Sequence, residues 1–343
     1  MSNHMPPELL GGLGGKPGID FFWKEVAGKR RLIGNPNGPM RVLHQLFGKH
    51  LLDGVMSTDD SGYGVRALPS ATACVRGSNP ALNARKHISG KFFYITDLRN
   101  AYPSIDLERL ALFVVYLARY DEYQFEVSLK YFSKDERREM IRDDPLYPEM
   151  LEFLTLNFAG LYGKGLAVGG PLSPYLMNLY CEVYLDSRLR RWCEGNGLVY
   201  TRYVDDLTFS SKRIISGEKR KEVRRFIHEA GFEVNHRKSK VLALSQGAVF
   251  VTRVGLEQQQ PEHLARVVFP QKKRRRLHGA IKSYLVGQTD WPEIVSGLIA
   301  EFLYYFKTVK KKTATDRKTF ALCQAFEAEW AKYRKGRPSR RKK

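Results

Sequence analysis

The sequence predicts an α+β fold with a basic, all-helical C-terminal end. Two short runs alternate apolar and polar residues as strands do, FFYITD (92–97) and GLVYTRYVDDLTFSS (197–211). Around them apolar residues recur at helical spacing, as in LERLALFVVYLARY and EMLEFLTLNFAGLY within 107–160. After Pro261 the composition turns basic and helical. Mixed strands and helices followed by helices alone make an α+β unit with a helical appendage.

Each element has its own local signal. Met1 to Gly18 is polar and rich in Gly and Pro, a loose leader without the pattern of a signal peptide. The basic stretch GKRRLIGNP (28–36) leads into an apolar run, Met40 to Leu52, expected to be helical. A polar insert, SKDERREMIRDDP (133–145), separates the helical runs of 107–160. A further helix, from about Tyr175 to Arg191, follows PLSP (171–174), since Pro suits a first helical turn. In 197–211 two alternating runs meet at a tight acidic turn, hence a β-hairpin. A helix over 217–230 and a short strand near Val234 complete a βαβ-like alternation. The tail GRPSRRKK (336–343) is expected to be disordered. No repeat of solenoid length recurs.

Composition narrows the partner. The chain is 43% hydrophobic and 12% aromatic, a globular composition. Against 57 Lys+Arg stand 36 Asp+Glu, a formal charge of +21. That surplus points to a polyanion, nucleic acid or an acidic membrane surface, because phosphate contacts release counterions. Cys74, Cys181, Cys193 and Cys323 form no CxxC pair, and no His cluster completes a zinc site; they read as idle thiols in a reducing cytosol. No apolar run reaches the roughly 18 residues a bilayer span needs. Ile294–Phe306 comes nearest and is interrupted by Ser296 and Glu301. A soluble, cytoplasmic protein without a membrane partner is expected.

The chemistry centres on carboxylates. Asp205 and Asp206 sit side by side in the YVDD turn (203–206), where like charges repel unless a cation intervenes. An ordinary solvated turn is the plainer reading of the tetrapeptide alone. Asp97, ending the strand FFYITD, supplies a third acid if the fold brings it to the same place; standing alone it also reads as a helix N-cap. Three such acids make a two-metal centre, whose ions sit about 3.5–4 Å apart and stabilise attacking and leaving oxygens. The all-oxygen donors and a phosphate substrate favour magnesium, two ions, with manganese as a substitute.

The order of these segments resembles the reverse transcriptases of bacterial retroelements, retrons most of all. GLVYTRYVDDLTFS (197–210) is close to the retron pattern around its YxDD box, NARKH (83–87) matches an NAxxH signature, and VTRVGL (251–256) is similar to a VTG segment. The likeness runs from about Gly28 to Leu285. It implies a right-hand polymerase: a flexible leader (1–20), fingers (21–90), a first part of the palm (91–106), a helical insert (107–160), the palm with its YVDD hairpin (161–258), a helical thumb (259–335) and a basic tail (336–343).

The resemblance also implies roles. Asp97, Asp205 and Asp206 correspond to metal-site acids, with the Leu98 carbonyl as a further ligand. Tyr102 falls at an aromatic steric gate that would favour dNTPs over rNTPs. Lys29 and Arg31 match basic fingers residues gripping the triphosphate, and Lys238 matches a lysine that protonates departing pyrophosphate. Each also reads as a core tyrosine or a solvated cation. Val168 and Gly169 fall at the nucleotide-contacting position; the family usually has Gln where Val168 stands, a loss shared with defence-associated reverse transcriptases. Arg253 replaces a usual Gly. Asn83 and His87 are implied in recognising a structured RNA, though they also read as helix decoration.

The run QKKRRRLHGAIKSYL (271–285) reads as a thumb helix on which Lys272, Lys273, Arg274, Arg275 and Arg276 meet duplex phosphates. A solvated face is its plainer reading. FLYYFKTVKKK (302–312) interleaves aromatics with lysines, for base stacking or for core packing. Three functions remain open. The first is a retron-like enzyme that copies a structured non-coding RNA into DNA in anti-phage defence, with an effector protein encoded nearby. The second is a stand-alone defence polymerase with other priming, and the third a catalytically inactive RNA-binding scaffold.

Overall fold

The computed structural model describes residues 18–26, 28–55, 70–75, 77–119, 139, 141–259, 264–288 and 292–335. The leader up to residue 17, most of the insert SKDERREMIRDDP and the tail 336–343 lie outside the described residues.

The first element is one that alternation did not announce. Strands β1 (Ile19–Val26) and β2 (Lys29–Pro36) pair antiparallel as a two-stranded ribbon, with Val26 opposite Lys29 at its tip. Gly28, at φ 72°, takes the left-handed conformation that closes it. The basic residues therefore lie on a ribbon ahead of α1 (Gly38–Val55). Helix α2 (Pro80–Lys86) starts at Asn79, whose Oδ1 accepts the N–H groups of Ala81 and Leu82 at 2.9 Å.

Strand β3 (Phe92–Arg99) is the centre of the main sheet, and its residues are buried or half-buried until Arg99. A nearly continuous apolar run suits a strand covered on both faces. Helices α3 (Leu107–Arg119) and α4 (Leu146–Phe158) cover one face. The helix expected over 175–191 is longer and is interrupted. It comprises α5 (Ser173–Cys181), a π-helical turn at Glu182–Asp186 and α6 (Ser187–Gly195).

The expected hairpin follows as β4 (Leu198–Tyr203) and β5 (Asp206–Ser211). Then come α7 (Gly217–Glu229), β6 (Glu233–Val234) and β7 (Lys240–Ala243). The strand order is β4-β5-β3-β6, with β7 pairing the same edge of β3 as β6. Both β5 and β6 run antiparallel to β3 and so parallel to each other, which makes the expected βαβ alternation with β3 inserted between its strands.

A small sheet of β8 (Val249–Val251), β9 (Val254–Glu257) and β10 (Arg266–Val268) leads to three helices, α8 (Gln271–Leu285), α9 (Pro292–Thr308) and α10 (Ala314–Lys335). Alternation along β3 divides the interior into two cores. Tyr94 and Leu98 join α3, α4 and α5 on one face; Phe93 joins α2, the small sheet and the C-terminal helices on the other. The C-terminal helices are thus bound to the sheet through a shared core. Phe302 and Tyr305 are buried there and Phe306 packs against the same core, so these three aromatics of 302–312 serve packing, whereas Tyr304 is 56% exposed. Among the described residues no helix is long and apolar enough to cross a membrane.

Candidate active site

Strand register brings the acids together. Asp97 lies directly opposite Asp206 in the β3–β5 pairing, so Asp97 ends a ladder rather than capping a helix. The β4–β5 loop is only Val204 and Asp205, and the Leu98 N–H donates to the Asp205 carbonyl at 2.8 Å, which fastens the loop to β3. Oxygens of Asp97, Asp205 and Asp206 lie within 4.8 Å of one another. Val204 holds φ 56°, a strained conformation for a β-branched residue, costing on the order of 1–3 kcal/mol. The Arg202 guanidinium, fully buried in β4, donates to the Val204 carbonyl at 3.0 Å and braces that turn.

The cluster is charged and crowded. Asp97 is 4% exposed; Asn235 Nδ2 donates to its Oδ1 at 3.1 Å, and the Lys238 ammonium pairs with its Oδ2. Burial, then the neighbouring Asp205 and Asp97 charges, push the Asp206 carboxyl up to about 6. Burial and Asp97 likewise raise Asp205. Carboxylates forced together and driven toward protonation are what a divalent cation relieves, and a donor set of oxygens alone suits magnesium or manganese. The residues present fit that ion class.

The acids stand in a cleft of about 780 Å³. Lys29 and Arg31 of the ribbon line it, as do Leu98, Tyr102, Val168 and Lys238. The Tyr102 phenol is held in its protonated form, first by burial and then by Cys74 and Asp205. Its carbonyl accepts the Leu166 N–H at 2.8 Å. Val168 passes its carbonyl to the Gly34 N–H at 2.8 Å, joining the ribbon to this segment. Gly169 does not line the cleft. At φ 99°, a Cβ there would stand 2.8 Å from Ile33 Cγ2 and 3.0 Å from the Gly34 carbonyl, so its glycine permits close packing under β2.

Other expected contacts fall elsewhere. His87 is fully buried: its Nδ1 meets Ser210 Oγ and its Nε2 meets Thr201 Oγ1, both at 2.7 Å. Asn83 is 1% exposed and donates to Thr252 Oγ1 at 3.2 Å. Asn83 ties α2 to the turn between β8 and β9, His87 ties the end of α2 to β4 and β5, and both side chains are buried. The five cations of α8 divide. Lys273 pairs with Glu301, and Arg274 pairs with buried Asp316 at 2.8 Å, while Lys272, Arg275 and Arg276 are exposed. The expectation of phosphate contacts therefore narrows to those three.

Several site residues escaped sequence reasoning. Asn235 carries no motif signal apart from its place three residues before Lys238. Arg202, inside the YTRYVDD run, reads as a solvated cation until its burial is seen. Trp23, 58% exposed, lines the cleft with the Arg30 guanidinium 5.0 Å from its ring centre.

Residues 16–276 match the family described as reverse transcriptase (RNA-dependent DNA polymerase). The chain is 27% identical over 242 residues to the retron Mx65 reverse transcriptase of Myxococcus xanthus, covering 68% of this chain and 53% of that one. It is 47% identical over 51 residues to the retron Ec86 reverse transcriptase of Escherichia coli, covering 15% and 16%. For the retron Ec83 reverse transcriptase, also of Escherichia coli, the identity is 28% over 144 residues, covering 41% and 39%. The chain thus spans about half the length of the first of these relatives and less of the others. Among solved structures, telomerase from Candida albicans with a TWJ fragment of telomeric RNA aligns at TM-score 0.46 and 13% identity, covering 91% of this chain and 59% of that one. The family match and the retron relatives bear out the retron-type resemblance, and the mixed helices and antiparallel sheets bear out the α+β polymerase fold expected from the sequence.

Proposed function

This chain belongs to the reverse transcriptase (RNA-dependent DNA polymerase) family, and from that premise we propose that it is a retron-type enzyme extending DNA along an RNA template. The observation that carries this is one juxtaposition. Asp97, Asp205 and Asp206, from segments about a hundred residues apart, come within 4.8 Å at the head of a cleft that also holds a basic ribbon.

Asp97, Asp205 and Asp206, with the Leu98 carbonyl, would hold two magnesium ions. Bound there, such ions neutralise charge on the attacking and leaving oxygens of an in-line phosphoryl transfer. The protein's own part is positioning. Lys29 and Arg31 bring cations to the triphosphate of an incoming dNTP, where charge-assisted hydrogen bonds fix its register. The Tyr102 ring crowds the position of a 2′-hydroxyl. Lys238, which pairs with Asp97, gives a proton to the departing pyrophosphate in this reading.

In hand terms, residues 21–90 serve as fingers, 91–106 and 161–258 as palm, and 259–335 as thumb. Exposed Lys272, Arg275 and Arg276 meet duplex phosphates. The template is a structured non-coding RNA and the setting cytoplasmic anti-phage defence, with an effector protein as a further partner. Val168, in the cleft where the family usually has Gln, favours a second reading: a stand-alone defence polymerase with other priming.

Primer extension on an RNA template with dNTPs and magnesium tests the enzyme. Wild-type protein extends the primer, and Asp205→Asn with Asp206→Asn abolishes extension; activity that survives both changes defeats the site assignment. Sequencing the copurifying nucleic acid separates the two settings: covalently joined RNA and DNA supports the retron, whereas long untemplated DNA supports the alternative.

A further inference from the structure

Asn235 directs its hydrogen bonds at two residues that the proposed chemistry uses. Its N–H donates to the Asp97 carbonyl at 2.8 Å and its side-chain Nδ2 to Asp97 Oδ1 at 3.1 Å, so backbone and amide grip the same residue of β3. Its own carbonyl accepts the N–H of Lys238 at 3.0 Å, and the N–H and the hydroxyl of Ser239, each at 3.2 Å. One asparagine is thus both the clamp on Asp97 and the foot of the turn that carries Lys238. The far end of that turn is fastened as well. Ser239 Oγ meets Oγ1 of Thr96, a β3 residue only 1% exposed, at 2.7 Å.

The residue type follows from the charges around it. Asp97, Asp205 and Asp206 already crowd one another, and a further carboxylate at this position would add a like charge to the cluster. A primary amide donates to a carboxylate and adds none. Lys238, by contrast, is held by its backbone more than by its surroundings. Its ammonium pairs with Asp97 Oδ2, but the side chain is 43% exposed and its stem is long and flexible. Where that ammonium can deliver a proton is therefore set by where the turn is pinned. Asn235 pins it to the β3 residue that belongs to the acid cluster.

In the transfer the 3′-oxygen bonds to the α-phosphorus, and its own proton passes to solvent. The bond from that phosphorus to the bridging oxygen breaks and leaves its electron pair on the pyrophosphate, where a proton from Lys238 meets it. Such a proton crosses only when donor and acceptor come within about 2.6–3.2 Å, so a small drift of the turn is costly. We propose that Asn235 is a positioning residue for this step, locking the Lys238 turn to Asp97 so that proton donor and acid cluster keep one geometry. This rests on the polymerase reading and names the residue that sets its proton delivery.

The test is single-turnover addition of one nucleotide, using dNTP analogues with methylene or difluoromethylene between the β- and γ-phosphates. Fluorine makes the departing bisphosphonate less basic, so it leaves with less help from a proton donor. Lys238→Ala should slow the methylene analogue about a hundredfold and raise the ratio of difluoromethylene to methylene rates. Asn235→Ala should slow the methylene analogue about tenfold, raise the same ratio, and leave the dNTP dissociation constant within about twofold of wild type. Added to Lys238→Ala, it should cost less than about twofold more, because the two residues act as a unit. If Asn235→Ala fails to fold, Asn235→Ser removes the amide bond to Asp97 while keeping a polar side chain, and is measured in the same way. An Asn235 variant that slows both analogues equally acts through Asp97 or the fold alone and overturns the proposal, as does a ratio that Lys238→Ala leaves unchanged. Wild-type extension with natural dNTPs keeps the polymerase reading standing in either case. A wild type that does not extend removes both.

Discussion

Asp186 and Arg202 form an ion pair from which water is wholly excluded, carboxylate to guanidinium at 2.7 Å, with both side chains 0% exposed. Tyr200 donates to the same carboxylate at 2.7 Å, and the guanidinium's other N–H groups reach Asn178 Oδ1 and the Val204 carbonyl, each at 3.0 Å. The π-helical turn at Glu182–Asp186 sets the carboxylate there, one extra residue changing which side of the helix it occupies. The β4–β5 hairpin thus has its strained tip tied to a charge pair at the centre of the core.

Removing one partner strands the other charge without water. Asp186→Ala should therefore cost about 3–5 kcal/mol, read from urea unfolding. Replacing both, as Asp186→Leu with Arg202→Met, should recover most of that loss because no buried charge remains. The double variant still lacks the bond to Val204, so its primer extension should stay well below wild type at normal stability. Full activity in a stable double variant would show that the tip needs no brace.

Metal should stabilise the protein through the acid cluster. At magnesium one hundred times its dissociation constant, a folded-state site adds about 2.7 kcal/mol, visible as a higher thermal midpoint. In Asp205→Asn with Asp206→Asn the shift should vanish. Without metal the same double variant should unfold at a higher temperature than wild type, because it removes like charges from carboxyls already pushed toward protonation. A magnesium shift that persists in the variant would place the ion elsewhere.

His87 gives a pH dependence with a definite sign. Burial, then the charge of Lys86, lowers its folded-state value to about 3, against an ordinary value of 6.5. The unfolded chain takes up the proton first, so stability is intact above pH 6.5 and falls as pH drops from 6.5 toward 3. Between pH 7 and pH 5 this one residue should remove about 2 kcal/mol. His87→Gln, compared with wild type across that range by urea unfolding, should lack that component. Parallel curves for the two proteins would refute it.

How legible the site was depended on whether function lay in residue type or in burial. YVDD and FFYITD were readable because strand alternation and paired acids are local signals, and register then did the rest, setting Asp97 opposite Asp206. The β1–β2 ribbon was not readable as strands, because its residues are largely exposed and no buried face imposes alternation. Asn83 and His87 matched a motif but not a surface: both side chains are buried, the amide of the first donating to Thr252 and both ring nitrogens of the second meeting the Ser210 and Thr201 hydroxyls. Arg202 was hidden for the opposite reason. A buried arginine is legible only once Asp186, from the preceding helix, is known to meet it.

The basic run of α8 carries the same lesson into a prediction. Its charges look equivalent in sequence, yet Arg274 is built into the helical bundle. It donates to Asp316 at 2.8 Å and to Thr319 Oγ1 at 3.0 Å, and its guanidinium lies 5.8 Å from the Phe269 ring centre and 5.9 Å from that of Phe302. Asp316 in turn accepts from the Thr313 N–H at 2.9 Å and from Tyr305 at 3.2 Å, so one carboxylate joins α8, α9 and the start of α10. Arg274→Ala should cost about 2–4 kcal/mol by leaving that carboxylate with too few donors. Arg275→Ala and Arg276→Ala should stay within about 0.5 kcal/mol of wild type. Their effect should instead appear on nucleic acid, where each lost phosphate contact lowers the salt slope by about one. If Arg274→Ala were as stable as the other two, the division of α8 into structural and phosphate-binding cations would be wrong; if Arg275→Ala and Arg276→Ala left the salt slope unchanged, the nucleic-acid path would not cross this helix.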